Sequence, residues 1–168
     1  MKKPLILLDV DGVINDFEQI SEEFLGWDVD VVHSHGYDVR IPHYMPALIR
    51  DLCRVAEVHW CTTWRSRAND DIAVHLGIDP LPVVDDGTNI RYTDWKAAAA
   101  YDLIEEALND GRRVLWCEDF WGTPPAGEVP HGTEFLDTTE NSPGPLLIPE
   151  NIPTWLKELI DGALTSFA

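Results

Sequence analysis

The sequence predicts an α/β fold in which a mostly parallel sheet carries helices on both faces. Three observations predict it. Short apolar runs that read as strands alternate with stretches at helical spacing, the pattern of parallel strands joined by crossover helices. The first run, PLILLDV (residues 4–10), lacks polar alternation, as expected of a strand buried on both sides. Most of the strands end in polar residues, at the carboxyl edge where such sheets bind ligands.

The elements follow in order. After PLILLDV comes NDFEQISEEFLGWDVDVVHSHGYDVRIPHY (15–44), a polar and aromatic stretch read as helical in part. From Pro46, the residues Leu48, Ile49, Leu52 and Val55 recur at helical spacing, with proline in the first turn. EVHWCTT (57–63) reads as a second strand, rich in residues that suit a pleated surface. RANDDIAVHLG (67–77) predicts a helix closed by Gly77, and LPVV (81–84) a short third strand before the turn signal DDGTN. DWKAAAAYDLIEEALNDG (94–111) is the clearest helix, with four alanines, apolar Leu103, Ile104 and Leu108, and Gly111 as terminator. RRVLWCEDF (112–120) supplies a fourth strand and TEFLDT (133–138) a fifth, beyond the loop WGTPPAGEVPHG. NSPGPLLIPENIP (141–153) reads as a surface connection into a last helix, IPTWLKELIDGAL. With no internal repeat or convincing linker, residues 1–168 are read as one domain.

Composition limits the function classes. Among 168 residues, 45% are hydrophobic and seven are tryptophan, enough apolar surface to form a core and to exclude a disordered chain. Thirty acidic against 12 basic residues give a formal charge of −18, which argues against a general nucleic-acid-binding surface; such a substrate would need a local basic patch or a bridging metal ion. Cys53, Cys61 and Cys117 have no CxxC spacing and read as reduced core residues. The apolar run in MKKPLILLDVDG is four residues long and ends in aspartate, so it reads as neither a signal peptide nor a membrane span. The expected location is cytoplasmic, with no membrane partner; the oligomeric state is open.

Asp9 and Asp11 end the first strand, Thr62 and Thr63 the second, and Glu118 and Asp119 the fourth. Parallel neighbouring strands would gather these groups at one sheet edge. Buried carboxylates repel one another and resist ionisation, so several in one place call for a cation, and an all-oxygen set suits Mg²⁺ rather than zinc.

DVDGVIND (9–16) resembles the first motif of the haloacid dehalogenase-like (HAD) phosphatase superfamily. Thr62 in HWCTTW stands where that superfamily keeps a Ser or Thr at a strand end, Lys96 in DWKAAAA matches its third motif, and Glu118-Asp119 its acidic fourth. The similarity spans roughly residues 5–120. TTW with the flanking RSRAN is also similar to a capless branch found in phage and bacterial proteins, including RNA-repair polypeptides.

This resemblance implies a three-layer Rossmann-like fold. It also implies Asp9 as nucleophile, Asp11 as acid and then base with its carbonyl on the metal, and Thr62 and Lys96 as donors to the phosphoryl oxygens. Asp9, Asp11, Glu118 and Asp119 would hold Mg²⁺, while Gly12, Thr63 and Arg65 would bind substrate. The fourth motif is usually Asp-Asp or Gly-Asp, so whether Glu118 or Asp119 ligates directly stays open.

The intervals from Asp16 to Thr62 and from Trp64 to Lys96 are too short for a full cap domain, leaving at most a small covering segment near residues 17–45. The implied function is a Mg²⁺-dependent phosphomonoester hydrolase acting on a phosphorylated small molecule, a nucleotide or a nucleic-acid end. Two alternatives stand beside it: a HAD-fold binding or regulatory module, for which the altered fourth motif speaks, and a metal-independent dehalogenase, against which Asp11 counts.

Other residues carry weaker signals. Asp16 reads as a helix cap or loop-orienting group rather than a metal ligand, and His33 and His35 as surface loop. Trp27, Trp64 and Trp121 could stack on a base but read first as packing. Arg65 and Arg67 divide evenly between substrate phosphate and surface ion pairs.

Overall fold

β1 (Leu5–Leu8) runs through the interior of a four-stranded parallel sheet in the computed structural model, which describes residues 2–17, 26–88, 95–120, 124–139 and 146–165. β4 (Glu57–Trp60) pairs with it on one side and β5 (Val114–Glu118) on the other, and β6 (Thr133–Asp137) lies outside β5, giving the order β4-β1-β5-β6. The chain leaves β1 for β4 and later crosses to β5 on the opposite side. Strand order therefore reverses around β1, and the crevice this creates opens beyond Leu8, where Asp9 begins.

All four β1 side chains are fully buried, which explains the unbroken apolar run. They divide by the two-residue strand period. Ile6 and Leu8 join a cluster with residues of α1 (Met45–Val55), α2 (Asp71–Leu76) and α4 (Thr154–Thr165). Leu5 and Leu7 join a second cluster with α3 (Trp95–Asn109). β5 repeats the division, Leu115 and Cys117 against Val114 and Trp116. The fold is thus α/β, with a parallel sheet and four α-helices among the described residues, compatible with a Rossmann-like arrangement.

Helix positions follow the apolar spacing. α1 buries Met45, Leu48, Ile49 and Leu52, three and four residues apart, with Pro46 in the first turn where a missing N–H leaves no bond unmade. α3 buries Trp95, Lys96, Ala97, Ala100, Ile104 and Ala107, a stripe in which one member is charged. No helix among the described residues is long and apolar enough to cross a membrane. The three cysteines are free, and burial pushes the Cys117 thiol up to about 12.

Two elements differ from the sequence reading. LPVV forms no strand. It makes one bridge, Val83 to Trp60, because Pro80 and Pro82 lack the N–H groups that would extend the ladder; the Pro82 carbonyl accepts from Trp60 N and Val84 N donates to the Trp60 carbonyl. The stretch 29–42, left within a partly helical region, is an antiparallel hairpin of β2 (Val29–Ser34) and β3 (Tyr37–Pro42). Its two-residue turn, His35-Gly36, has φ of 49° and 83°, the left-handed pair that a tight hairpin requires. His33 pairs with Asp38 and His35 bonds Asp70 at 2.6 Å, so the HSH sequence serves the hairpin surface. Residues 18–25, the other portion of the stretch read as helical in part, lie outside the described residues, as does Trp121.

Candidate functional site

Three of the parallel strands deliver their ends to one place. Asp9 follows β1, Cys61 and Thr62 follow β4, and Glu118 closes β5. Lys96 arrives from the first turn of α3, which packs on the same sheet. Lys96 is 2% exposed, Glu118 4% and Asp9 5%, so the charges depend on one another rather than on water. Lys96 Nζ lies 2.8 Å from both Glu118 carboxylate oxygens and 3.2 Å from Asp9 Oδ2.

Burial alone would raise Asp9. The Lys96 ammonium, hydrogen bonds from Glu118 and Thr62, and the Val10 N–H at 2.8 Å outweigh it and hold Asp9 below the ordinary carboxylate range. Glu118 is pushed well above its usual value, first by burial and then by the charge of Asp9. Lys96 is raised as well: burial would lower it, but the charges of Asp9 and Glu118 outweigh burial and keep it firmly protonated. Trp116 Nε1 adds a contact to Glu118 at 3.3 Å.

Carboxylate oxygens of Asp9, Glu118 and Asp119 all lie within 4.8 Å of one another. An oxygen-only set of this spacing fits a hard divalent cation such as Mg²⁺, and both members of the Glu118-Asp119 pair belong to it. Asp11 is outside that cluster. Asp16, 2% exposed, is outside it as well, and its N–H donates to the Arg40 carbonyl.

Gly12 explains the DG of the first motif. Its φ is +72°, and a Cβ there would stand 2.4 Å from Asp119 Oδ2 and 2.7 Å from Asp119 Cβ. Only glycine lets the loop close on the metal-ligand candidate. Gly12→Ala is expected to cost about 1–2 kcal/mol from the backbone alone and to displace Asp119, readable as a lower unfolding midpoint and a smaller rise on adding Mg²⁺. Thr138, just past β6, pins the loop from the other side: its buried hydroxyl donates to the Gly12 carbonyl at 2.7 Å, and its N–H donates to the Glu118 carbonyl at 3.0 Å.

Asp11 sits apart, at the mouth. Trp64 Nε1 donates to its Oδ2 at 3.0 Å and Asn15 Nδ2 to its Oδ1 at 2.7 Å. Burial still raises its carboxyl above the ordinary value despite these donors, which favours its protonated form. Asn15 in turn accepts from Arg40 N at 2.8 Å, so the hairpin helps fix the Asp11 carboxyl.

The metal-free site also makes stability depend on pH. Glu118 holds its proton in the folded chain above the pH at which the unfolded chain, near 4.5, releases it. Its contribution is complete below 4.5 and is lost as pH rises through the raised folded value. Unfolding midpoints of metal-free protein should therefore fall along that limb, and Glu118→Gln should flatten it.

Thr62 is fully buried, bonded to Asp9, and its Oγ1 accepts from Trp64 N at 3.3 Å. Thr63 lines a pocket of about 390 Å³ next to Asp11, together with Asn15, Phe17, Tyr37, Trp64 and Arg67. Arg65 lies elsewhere: its guanidinium pairs with Asp85 and with Asp86 at 2.8 Å and stacks 4.1 Å over the Trp95 ring. Of the two arginines, Arg67 is the one at the pocket. Trp27 packs edge-on against Tyr44 at 5.3 Å.

Sequence reasoning missed Asn15, Trp116 and Thr138. Asn15 lies within DVDGVIND and Trp116 two positions before Glu118, yet neither residue type announces its bond to the nearby carboxylate, and Thr138 meets Gly12 only through the tertiary structure. Compared with known proteins, the chain matches no family model and no curated sequence.

Proposed function

We propose that the protein is a Mg²⁺-dependent phosphomonoester hydrolase of the haloacid dehalogenase-like superfamily, with the three-layer arrangement and minimal cap of its capless branch. The observation that carries this reading is the convergence of Asp9, Lys96, Glu118 and Asp119, from separate segments, on one buried point. A phosphorylated small molecule, nucleotide or nucleic-acid end is the substrate class, and the cytoplasm its setting.

The Asp9 carboxylate attacks phosphorus, forming an Asp9–O–P bond as the bond to the leaving oxygen breaks. Asp11 gives its proton to that oxygen. Water then attacks phosphorus, Asp11 takes up the water proton, and Asp9 leaves as carboxylate with release of phosphate. Lys96 compensates the charge of Asp9, to which it is already bonded, and offers donors toward the phosphoryl oxygens with Thr62. Asp9, Glu118 and Asp119, with the Asp11 carbonyl, would hold Mg²⁺, which when bound supplies charge neutralisation between the two reacting anions.

The test is phosphate release from a generic aryl phosphate with Mg²⁺ and with chelator. Release that requires Mg²⁺ supports the reading. Undiminished release under chelation contradicts it, and no release with Mg²⁺ favours a binding or regulatory module.

A further inference from the structure

The pocket next to Asp11 has a composition unlike the rest of the site. Its wall contains three aromatic rings, Phe17, Tyr37 and Trp64. Phe17 is 45% exposed and Tyr37 51%, although large apolar side chains are normally covered. Trp64, by contrast, is buried at 7% and held by its bond to Asp11 and by an edge-on contact with Tyr37 at 5.8 Å. One fixed ring and two open ones thus line the same concavity.

Arg67 also lines this pocket, half-buried and without an ion pair or side-chain hydrogen bond among the described residues. Arg65, two positions away, is taken up by Asp85 and Asp86. Asp38, another lining group, pairs with His33 on the rim. Among the described residues the pocket thus combines a guanidinium that has no acidic partner with three aromatic rings. A volume of about 390 Å³ lies within the range of small-molecule sites.

We propose that this pocket binds the nucleoside part of the substrate, its base against Tyr37, Phe17 and Trp64 and its acceptor groups toward Arg67. The inference rests on the phosphatase reading for its orientation: Asp11 borders both the phosphoryl site and the pocket, so a group expelled there keeps its oxygen at Asp11 and its body among the rings. An aliphatic leaving group would leave those rings facing water. A flat heteroaromatic base covers them, and base stacking on aromatic side chains is tolerant of sequence and energetically substantial. The hairpin, which supplies Tyr37, acts as a specificity element on this account.

Titration calorimetry with adenosine, uridine and ribose, at saturating Mg²⁺, tests the proposal without turnover. Both nucleosides should bind, ribose at least about tenfold more weakly, and Tyr37→Ala should weaken nucleoside binding by about tenfold. Tyr37 is half exposed, so its removal spares the core; Phe17→Ala provides a second variant. Equal binding of ribose and nucleosides, or no effect of either variant, would overturn the proposal. Aryl phosphate hydrolysis without nucleoside binding removes the pocket assignment alone. Nucleoside binding without any phosphate release keeps the pocket and removes the enzyme reading. KM values for adenosine monophosphate and for a 5′-phosphorylated dinucleotide then distinguish a free nucleotide from a nucleic-acid end, and either preference over glycerol phosphate supports the proposal.

Discussion

Replacing Lys96 with methionine should destabilise the metal-free fold by about 3–5 kcal/mol, as expected when one partner of a buried ion pair is removed and the other is left. Lys96 Nζ is the cation that Asp9, at 3.2 Å, and Glu118, at 2.8 Å, share. Methionine fills much of the same space but brings no charge, so two nearly inaccessible carboxylates face one another. Two responses remain. The pair takes up a proton, or the fold opens. Denaturant titration of metal-free protein measures the loss, and saturating Mg²⁺ should recover part of it by binding the folded carboxylates and not the unfolded chain. A loss under about 1 kcal/mol would mean that the charges are not coupled as their distances require.

Asp9→Asn should lower phosphate release at least about a thousandfold while leaving the secondary structure intact. Asparagine keeps the size of the side chain and can still accept from Val10 N–H, the 2.8 Å bond that turns the chain out of β1. It lacks the anionic oxygen that would attack phosphorus in the proposed reaction. Lys96 remains paired with Glu118, which is still raised by burial but loses the further push of the Asp9 charge and so ionises more readily. Stability should therefore change little, in contrast with Lys96→Met. The two variants separate a group proposed to serve chemistry from one proposed to serve both chemistry and folding. Circular dichroism and phosphate release on the same samples provide the comparison.

The strands that place the site were readable because burial leaves a direct mark on the chain. β1 and β5 are buried along their whole lengths and appear as unbroken apolar runs, and their ends are marked by Asp9 and Glu118. Lys96 was readable for a different reason, its place in a motif series, since a lysine inside an alanine-rich helix otherwise looks like a surface residue. What failed was local. In the hairpin at 29–42, β2 shows no regular alternation and buries only Ser34, while β3 buries Val39 and Ile41 over too short a run to stand out, so its pattern is weak; His35-Gly36 was the signal that could have found it. LPVV looked like a strand because its valines favour one, while Pro82, with Pro80 just before it, prevents one. The choice between Arg65 and Arg67 was beyond any pattern, because it depends on where Asp85 and Asp86 fold back. Asp11 and Trp64, 53 positions apart, met only in three dimensions.

Acid quenching during turnover, followed by peptide mass spectrometry, examines whether this buried carboxylate is the phosphoryl acceptor. Phosphate carried on the peptide containing Asp9, and absent in Asp9→Asn, is the outcome that the proposed chemistry requires. Steady release of phosphate with the label on another residue, or with Asp9→Asn still turning over at the full rate, would contradict it.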